Sequence, residues 1–163
     1  MEEAKTISES QVEVVQFIMP EHANPAGNVN GGTIMKLVDN AAAIVAIRHS
    51  RKHVVTASVD KIDFIAPAFV GNLVIAKASL NYVSKTSMEI GVRVEAEKLL
   101  EGVRVHIASA YLTFVALDDL RKPTEVPRLI CETSEEKRRF EEAKIRREKR
   151  LNELYEKRQR EQQ

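Results

Sequence analysis

Residues 22 to 50 read HANPAGNVNGGTIMKLVDNAAAIVAIRHS, a run in which small and turn-forming residues give way to an apolar helical pattern. The pattern predicts a helix from about Thr33 to His49. Its apolar residues occupy nearly the whole circumference, with Ile34, Val38, Ala41 and Val45 on one face and Leu37 and Ile44 on another. Such a helix must be buried, so we expect it at the centre of the fold.

Five segments with strand character surround this helix. One precedes it and four follow: QVEVVQFIM, VVTASVDKIDFI, LVIAKASLNYV, SMEIGVRVEAEKL and VRVHIASAYLTFVAL. The short links near residues 84–86 and 101–102 favour antiparallel neighbours, because parallel pairing needs a long crossover. The order β-α-β-β-β-β predicts an α+β fold in which a curved, largely antiparallel five-stranded sheet wraps around one central helix.

The chain of 163 residues is long enough for one compact domain and an appendage. We expect a globular domain over residues 1–130 and a charged helical extension over residues 131–163. The extension opens with Thr133-Ser-Glu-Glu136, which has the spacing of a capping box, and continues without Gly or Pro. Its few apolar residues form no heptad repeat, so we expect a long exposed helix on a surface, rather than a coiled coil.

Some strands, such as HIASAYLTFVAL, are apolar on both faces. One helix covers only one face of a sheet, so we expect a homo-oligomer to cover the other.

The charge balance argues against several classes of partner. A formal net charge of +1 gives no reason to expect strong attraction to nucleic acid or to an anionic membrane surface. No segment approaches the roughly 20 apolar residues of a membrane-spanning helix. With a single cysteine and no leader-like amino terminus, the sequence is typical of a soluble, cytosolic protein.

Histidine, cysteine and serine often bind metals or act as nucleophiles, but here they do not occur at the spacings typical of such sites. The four histidines are not spaced like metal ligands: His22, His49, His53 and His106. Cys131 has no positioned base and is expected to be an inert thiol. The serines at 84 and 87 lack the G-x-S-x-G elbow of serine hydrolases. The sequence therefore predicts no metal and no serine or cysteine nucleophile.

The start of the central helix is a candidate site. Gly31 and Gly32 allow positive φ and close backbone approach, and the first-turn N–H groups of a helix have no internal partners. These groups, with the helix dipole, suit a carbonyl oxygen or a developing oxyanion. The simpler alternative is a glycine-containing turn that merely starts a helix.

Polar residues on the helix form a second candidate. Lys36, Asp39 and Asn40 share one face at i, i+3 and i+4, either as an ordinary solvent edge or as a carboxylate base in a cleft. Asn24, in the loop before the helix, could orient a water molecule through its amide or could be an ordinary turn residue.

Several linked motifs resemble the hotdog-fold acyl-coenzyme A thioesterases, specifically the cytosolic acyl-CoA hydrolase group. They are HANPAGNVNGGTIMKLVDNAAAIVAIRH, VVTASVDKIDFIAPAFVGNLV, KTSMEI and AYLTFVALD, in family order from about residue 11 to 127. The resemblance implies a hotdog fold, paired into a homodimer with a continuous sheet and often assembled as a trimer of dimers. It implies hydrolysis of acyl-CoA to fatty acid and coenzyme A, which is part of substrate and product, with no separate cofactor.

The resemblance also assigns roles to residues. Asp39 is the general base, Asn24 of the partner subunit positions the water, and the Gly31–Gly32 helix start, through Gly32, polarises the carbonyl. Two segments line the pantetheine channel: Ala57, Ser58 and Val59, and Thr86, Ser87 and Met88. A basic residue of the last helix reaches the nucleotide phosphates, with Arg147 ahead of Lys144 and Lys149, although a merely solvated helix is the alternative.

The sequence departs from the family pattern at two positions in the loop. Asn30 stands where related sequences often have histidine, and Pro25 stiffens the loop after Asn24. Larger members fuse two hotdog units, one giving the Asn and the other the Asp, whereas this chain has both, so a homodimer is expected to have two equivalent sites. A non-catalytic acyl-CoA-binding regulator is the alternative function; a hydratase is disfavoured because no histidine follows Asp39 at a suitable spacing before His49.

Overall fold

The computed structural model describes residues 3–162. In chain order the strands and helices are β1 (Lys5–Thr6), β2 (Val12–Phe17), α1 (Gly31–Ser50), β3 (His53–Phe64), β4 (Leu73–Val83), β5 (Ser87–Lys98), β6 (Val103–Leu117), β7 (Leu129–Ile130) and α2 (Ser134–Glu161). Single 3-10 turns lie at Ile7–Glu9 and Pro20–His22. The five predicted strands and both predicted helices are confirmed, and the short pair β1 and β7 is additional.

The main sheet has the order β2-β4-β5-β6-β3, with every neighbouring pair antiparallel. Strands β2 and β3 are therefore the two edges, and α1, which joins them along the chain, lies across the inner face of the sheet. The predicted antiparallel sheet wrapped around one helix is confirmed. β1 and β7 pair in parallel as a separate two-stranded sheet, which joins the amino terminus to the segment before α2.

The core lies between α1 and the inner face of the sheet. Helix positions Val38, Ala41, Ala42, Val45 and Ala46 have no exposed surface, and they pack against alternating residues of the four long strands and β2. Three of these five residues are alanines, whose small side chains let the sheet lie close to the helix.

The predicted burial of the central helix on all sides is wrong for a single chain. Met35 and Ile47 are each 46% exposed, and Lys36 and Asn40 lie on the same open side. The edge strand β3 also exposes apolar side chains, Val59 and Phe64 on the side of α1 and Val55 on the opposite face. Exposed apolar side chains on a helix and on an adjoining edge strand favour an interface at this side.

Helix α2 begins with the predicted cap, in which Thr133 Oγ1 accepts from Glu136 N–H and the Glu136 carboxylate accepts from Thr133 N–H. The helix lies on a surface, as expected, but one side of its first half is covered. Ala143 is buried against the outer face of the sheet, and the residues from 151 onward are exposed. The sheet face that we expected another subunit to cover is thus partly covered by the chain itself.

No helix within residues 3–162 combines the length and apolar character needed to cross a membrane.

Candidate active site

The loop before α1 is held in one conformation by its own hydrogen bonds. Asn24 Oδ1 accepts from the N–H groups of Ala26, at 3.0 Å, and Asn28, at 3.3 Å. Gly27 closes this turn with φ of +88°, a backbone conformation that favours glycine. The buried Val29 anchors the loop, and its N–H donates to the carbonyl of Ala68.

This geometry restricts what the Asn24 amide can do. Two N–H groups donate to the same amide atom, so that atom is the oxygen and the orientation of the amide is fixed. The two hydrogen bonds use both lone pairs of Oδ1. Within the described residues, Nδ2 donates to no other group. Asn24 therefore presents N–H donors to a ligand, instead of the combined donor and acceptor that the sequence suggested.

The first turn of α1 has two N–H groups without a partner among residues 3–162, those of Gly31 and Gly32. The next two residues, Thr33 and Ile34, both donate to the carbonyl of Asn30. Both glycines adopt helical conformations, so the positive φ that we considered for them does not occur. A Cβ atom added to Gly32 would meet nothing within 4 Å, so there is open space beside this residue at the helix start.

Asp39 lies two turns into α1 and faces strand β3. Its Oδ1 accepts a hydrogen bond of 2.8 Å from the hydroxyl of Thr56. No ion pair within 4.0 Å joins it to Lys36 in the described chain, so Asp39 does not belong to an ordinary charged edge. The sequence reasoning missed Thr56; a threonine at the start of an edge strand was the only signal for it.

The segments predicted to line a pantetheine channel differ in accessibility. Ala57 and Val59 are exposed on β3, and Ser58 donates to Asp60 at 2.8 Å. Thr86, in the turn before β5, and Ser87, the first residue of β5, are half-buried, whereas Met88 is fully buried in the core. The register of β5 turns the Met88 side chain towards α1 and into the core.

The other singled-out residues have structural partners. His49 Nε2 lies 2.8 Å from the Pro127 carbonyl, and His22 Nδ1 accepts from Met19 N–H. Burial raises the pKa of the Cys131 thiol, which favours the unreactive protonated form. Arg147 is half-buried on α2, and Lys144 and Lys149 are exposed.

The strongest polar contacts on α2 are made by neighbours of Arg147 that the sequence reasoning did not single out. Arg146 donates through Nε and Nη2 to the buried Glu89 of β5, both at 2.9 Å, and its guanidinium lies 3.8 Å from the centre of the Tyr111 ring. The hydrogen bond to Glu89 raises the pKa of Arg146. Arg150 donates to Asp60 at 2.9 Å. Strand carboxylates followed by a basic helix were the available sequence signal.

A cavity of about 530 Å³ lies between α2 and the outer face of the sheet, lined in part by Asn81, Tyr111 and Arg146. Neither Asp39 nor Asn24 lines it. Asp39 is instead half-buried on α1, beside the exposed Lys36 and Asn40, and Asn24 is half-buried in the loop before the helix.

Known proteins resemble this chain over most of its length. The family model described as the thioesterase superfamily matches residues 26–103. The chain is 40% identical to the cytosolic acyl coenzyme A thioester hydrolase of Rattus norvegicus, over 87% of this chain and 38% of that protein. It is 39% identical to the uncharacterized acyl-CoA thioester hydrolase YkhA of Bacillus subtilis, over 82% of this chain and 78% of that protein. The chain thus spans little more than a third of the rat relative.

Solved structures of acyl-CoA thioesterases have the same fold as this chain. A hexameric acyl-CoA thioesterase superposes with a TM-score of 0.90 at 34% identity, covering 93% of this chain and 97% of that one. The acyl-CoA hydrolase of Staphylococcus aureus, in complex with butyryl coenzyme A, coenzyme A and coenzyme A disulfide, superposes with a TM-score of 0.88 at 35% identity, covering 96% and 95%. The predicted hotdog fold is confirmed.

The Staphylococcus aureus hydrolase has also been studied as three alanine variants, which replace an aspartate, an asparagine and a threonine. In that protein the asparagine lies 15 residues before the aspartate, and the threonine lies 17 residues after it. The same intervals separate Asn24, Asp39 and Thr56 in this chain.

Proposed function

Because the chain belongs to the thioesterase superfamily, with the hotdog fold of the acyl-CoA thioester hydrolases, we propose that it hydrolyses acyl-CoA to a free fatty acid and coenzyme A. The observation that carries the proposal is the Asp39 carboxylate, held on the central helix by the Thr56 hydroxyl and open to the surface. In the reaction a water oxygen bonds to the thioester carbonyl carbon, the carbon–sulfur bond breaks, and the sulfur leaves with a proton.

Asp39 acts as the general base. The Thr56 hydroxyl occupies Oδ1 and fixes the carboxyl plane, which leaves Oδ2 to accept a proton from the attacking water. The proton then passes to the departing sulfur, so the carboxylate is restored at the end of each turnover.

Asn24 of the partner subunit positions the water. Its Oδ1 is committed to the turn, so the Nδ2 group donates to the water oxygen. A water held in this way keeps its protons available for Asp39 and a lone pair available for the carbonyl carbon.

The free N–H groups of Gly31 and Gly32 bind the thioester carbonyl oxygen. They also stabilise the negative charge that this oxygen acquires in the tetrahedral intermediate, with help from the helix dipole. The open space above Gly32 supports this role, because nothing in the chain blocks the approach of an acyl group.

The active assembly is a homodimer, arranged as a trimer of dimers. The exposed apolar side chains on α1 and on the edge strand β3 support pairing at this face, which would extend the sheet and bring Asn24 of one copy to Asp39 of the other. The hexameric structural relative supports the larger assembly.

Coenzyme A extends from this site along the exposed edge of the sheet. Ala57, Ser58 and Val59, with Thr86 and Ser87, lie along the pantetheine arm, and Arg147 binds a nucleotide phosphate. Coenzyme A is released as a product, and the reaction needs no further cofactor. The named cytosolic relative supports a cytoplasmic location, and the net charge of +1 favours neither nucleic acid nor a membrane as partner.

The test is release of free thiol from short-, medium- and long-chain acyl-CoA, followed with a thiol reagent. Wild-type protein should release thiol with at least one chain length, and Asp39→Asn should lose most of that activity. Binding of acyl-CoA without thiol release would contradict the proposal and would indicate a non-catalytic, acyl-CoA-binding regulatory protein.

A further inference from the structure

The edge strand β3 is irregular immediately beyond Thr56. Its register with β6 shifts between Thr56 and Ser58 and again between Val59 and Lys61, so Ala57 and Asp60 are extra residues in two bulges. Each bulge interrupts the ladder and bends the strand. Within one chain β3 has a hydrogen-bonded neighbour on one side only, so the two bulges leave residues 57–60 with fewer backbone constraints from the chain itself than the interior strands have.

Hydrogen bonds to the Asp60 side chain hold this segment where backbone pairing is interrupted. Asp60 Oδ1 accepts from Ser58 on the same strand at 2.8 Å, and its Oδ2 accepts from Thr113 on β6 at 3.2 Å. Oδ2 also accepts from Arg150 Nη1 on α2 at 2.9 Å. Asp60 thereby links the bulged segment to the neighbouring strand and to a helix on the outer face.

Arg150 contacts both Asp60 and Thr113, and the three side chains form one cluster. Arg150 Nη1 lies 2.7 Å from Thr113 Oγ1 as well as 2.9 Å from Asp60. The Arg150 and Asp60 side chains are only 22% and 17% exposed, so water screens the pair less than it would a surface ion pair. A hydrogen bond between a guanidinium and a carboxylate is stronger than one between neutral groups.

We propose that Arg150 is a positioning residue, which acts through Asp60 and Thr113 to hold the bulged segment and so places the Thr56 hydroxyl on Asp39. Thr56 is the last residue in register before the first bulge, and its 2.8 Å bond to Asp39 depends on where β3 runs relative to α1. Helix α2 is then part of the catalytic apparatus, although it lies on the opposite face of the sheet from α1. The kinetic part of this inference rests on the proposed function.

Two substitutions distinguish an effect on the position of β3 from a through-space effect of charge on the active site. Arg150→Met removes a positive charge and Asp60→Leu removes a negative one, so a through-space electrostatic effect would change kcat in opposite directions. Loss of position lowers kcat in both, by roughly tenfold, and raises KM in both, because Ala57, Ser58 and Val59 belong to the same segment. The double variant should be no slower than either single one, because both break the same link.

Two further variants complete the kinetic test. Arg150→Lys keeps the charge and one donor and should recover part of kcat. Arg160→Met makes the same chemical change on the exposed end of α2 and should leave kcat unchanged. Opposite effects of Arg150→Met and Asp60→Leu, no loss of kcat in either, or an equal loss in Arg160→Met would overturn the proposal.

Amide hydrogen exchange gives a readout that does not depend on activity. Arg150→Met should speed exchange in residues 56–60 and leave β4, residues 73–83, unchanged. Equal acceleration in β4 would indicate general destabilisation and would overturn the proposal, as would unchanged exchange in β3. If wild-type protein releases no thiol from any acyl-CoA, the proposed function fails, and hydrogen exchange alone still decides whether Arg150 positions β3.

Discussion

The Thr56 hydroxyl is the single side-chain contact that fixes Asp39 in the described chain, and it donates its hydrogen bond from a neighbouring strand. The orientation of this carboxylate therefore depends on the position of β3 relative to α1. Asp39 and Asn24 were candidates from the sequence alone, because their residue types suit a base and a water-binding amide. Thr56 was not, because its role arises only when β3 pairs beside α1.

Thr56→Val should therefore lower kcat with a small change in KM. The substitution keeps the β-branched shape and removes the donor, so Asp39 loses its orientation; we expect a loss of roughly tenfold or more. Steady-state thiol release measures it, and Thr56→Ser, which restores a hydroxyl, should recover most of the rate. A Val variant as active as wild type would show that the hydroxyl does not orient the base.

Gly32→Ala should separate stability from activity. The residue is helical and has open space at the Cβ position, so alanine should raise stability by up to about 1 kcal/mol through helix propensity. Its methyl group would occupy the space in which the thioester carbonyl approaches, so kcat should fall. Thermal unfolding and thiol release measure the two effects.

Gly71→Ala is the matched control for this substitution. Gly71 has φ of +90°, so alanine there should lower stability and leave the rate per folded molecule unchanged. Full activity in Gly32→Ala would contradict the assignment of the helix start as the carbonyl site.

Among the helices and strands, α2 differs most from its sequence-based description as an exposed appendage. It crosses the outer face of the sheet, with Phe140 against Tyr82 of β4, Arg146 on Glu89 of β5, and Arg150 on Asp60 of β3. The composition indicated a solvated helix because arginine and glutamate are usually exposed. The partners of its arginines lie 57 and 90 residues away along the chain, where no local pattern indicates them.

Gly91→Ala should destabilise the contact between α2 and the sheet. A Cβ at Gly91 would lie 2.8 Å from the buried Asn81 Nδ2, which donates to Glu89, the partner of Arg146. Overpacking of this kind costs about 1–3 kcal/mol. Denaturant unfolding measures the loss, and equal stability of variant and wild type would show that Asn81 moves aside freely.

The outer face of β5 carries a pH-dependent contribution to stability. The hydrogen bond from Lys77 lowers the pKa of Glu95, so the ionised carboxyl stabilises the fold above its usual pKa near 4.5. This stability is lost as the pH falls through the lowered value. Glu95→Gln should therefore melt below wild type at pH 7, and the difference should shrink in acid. A difference that is constant with pH would contradict this.

The proposed homo-oligomer would account for the exposed apolar side of α1 in a single chain. The succession of strands along the chain and the central helix were predictable because their apolar periodicities are strong and local. The open side of α1, with Met35 and Ile47, was not, since the sequence predicts only that apolar residues are buried and does not say by what. A second copy at this face would cover them and would supply Asn24.

The most direct test of a site shared between subunits is activity after mixing two inactive variants. In a homodimer with two equivalent sites, pairing Asn24→Ala with Asp39→Ala leaves one site with both native residues and one with neither. Random reassortment of subunits should then restore roughly a quarter of wild-type thiol release. If the mixed sample forms heterodimers and stays as inactive as its two parents, Asn24 and Asp39 do not meet across the interface, and the proposed mechanism is wrong.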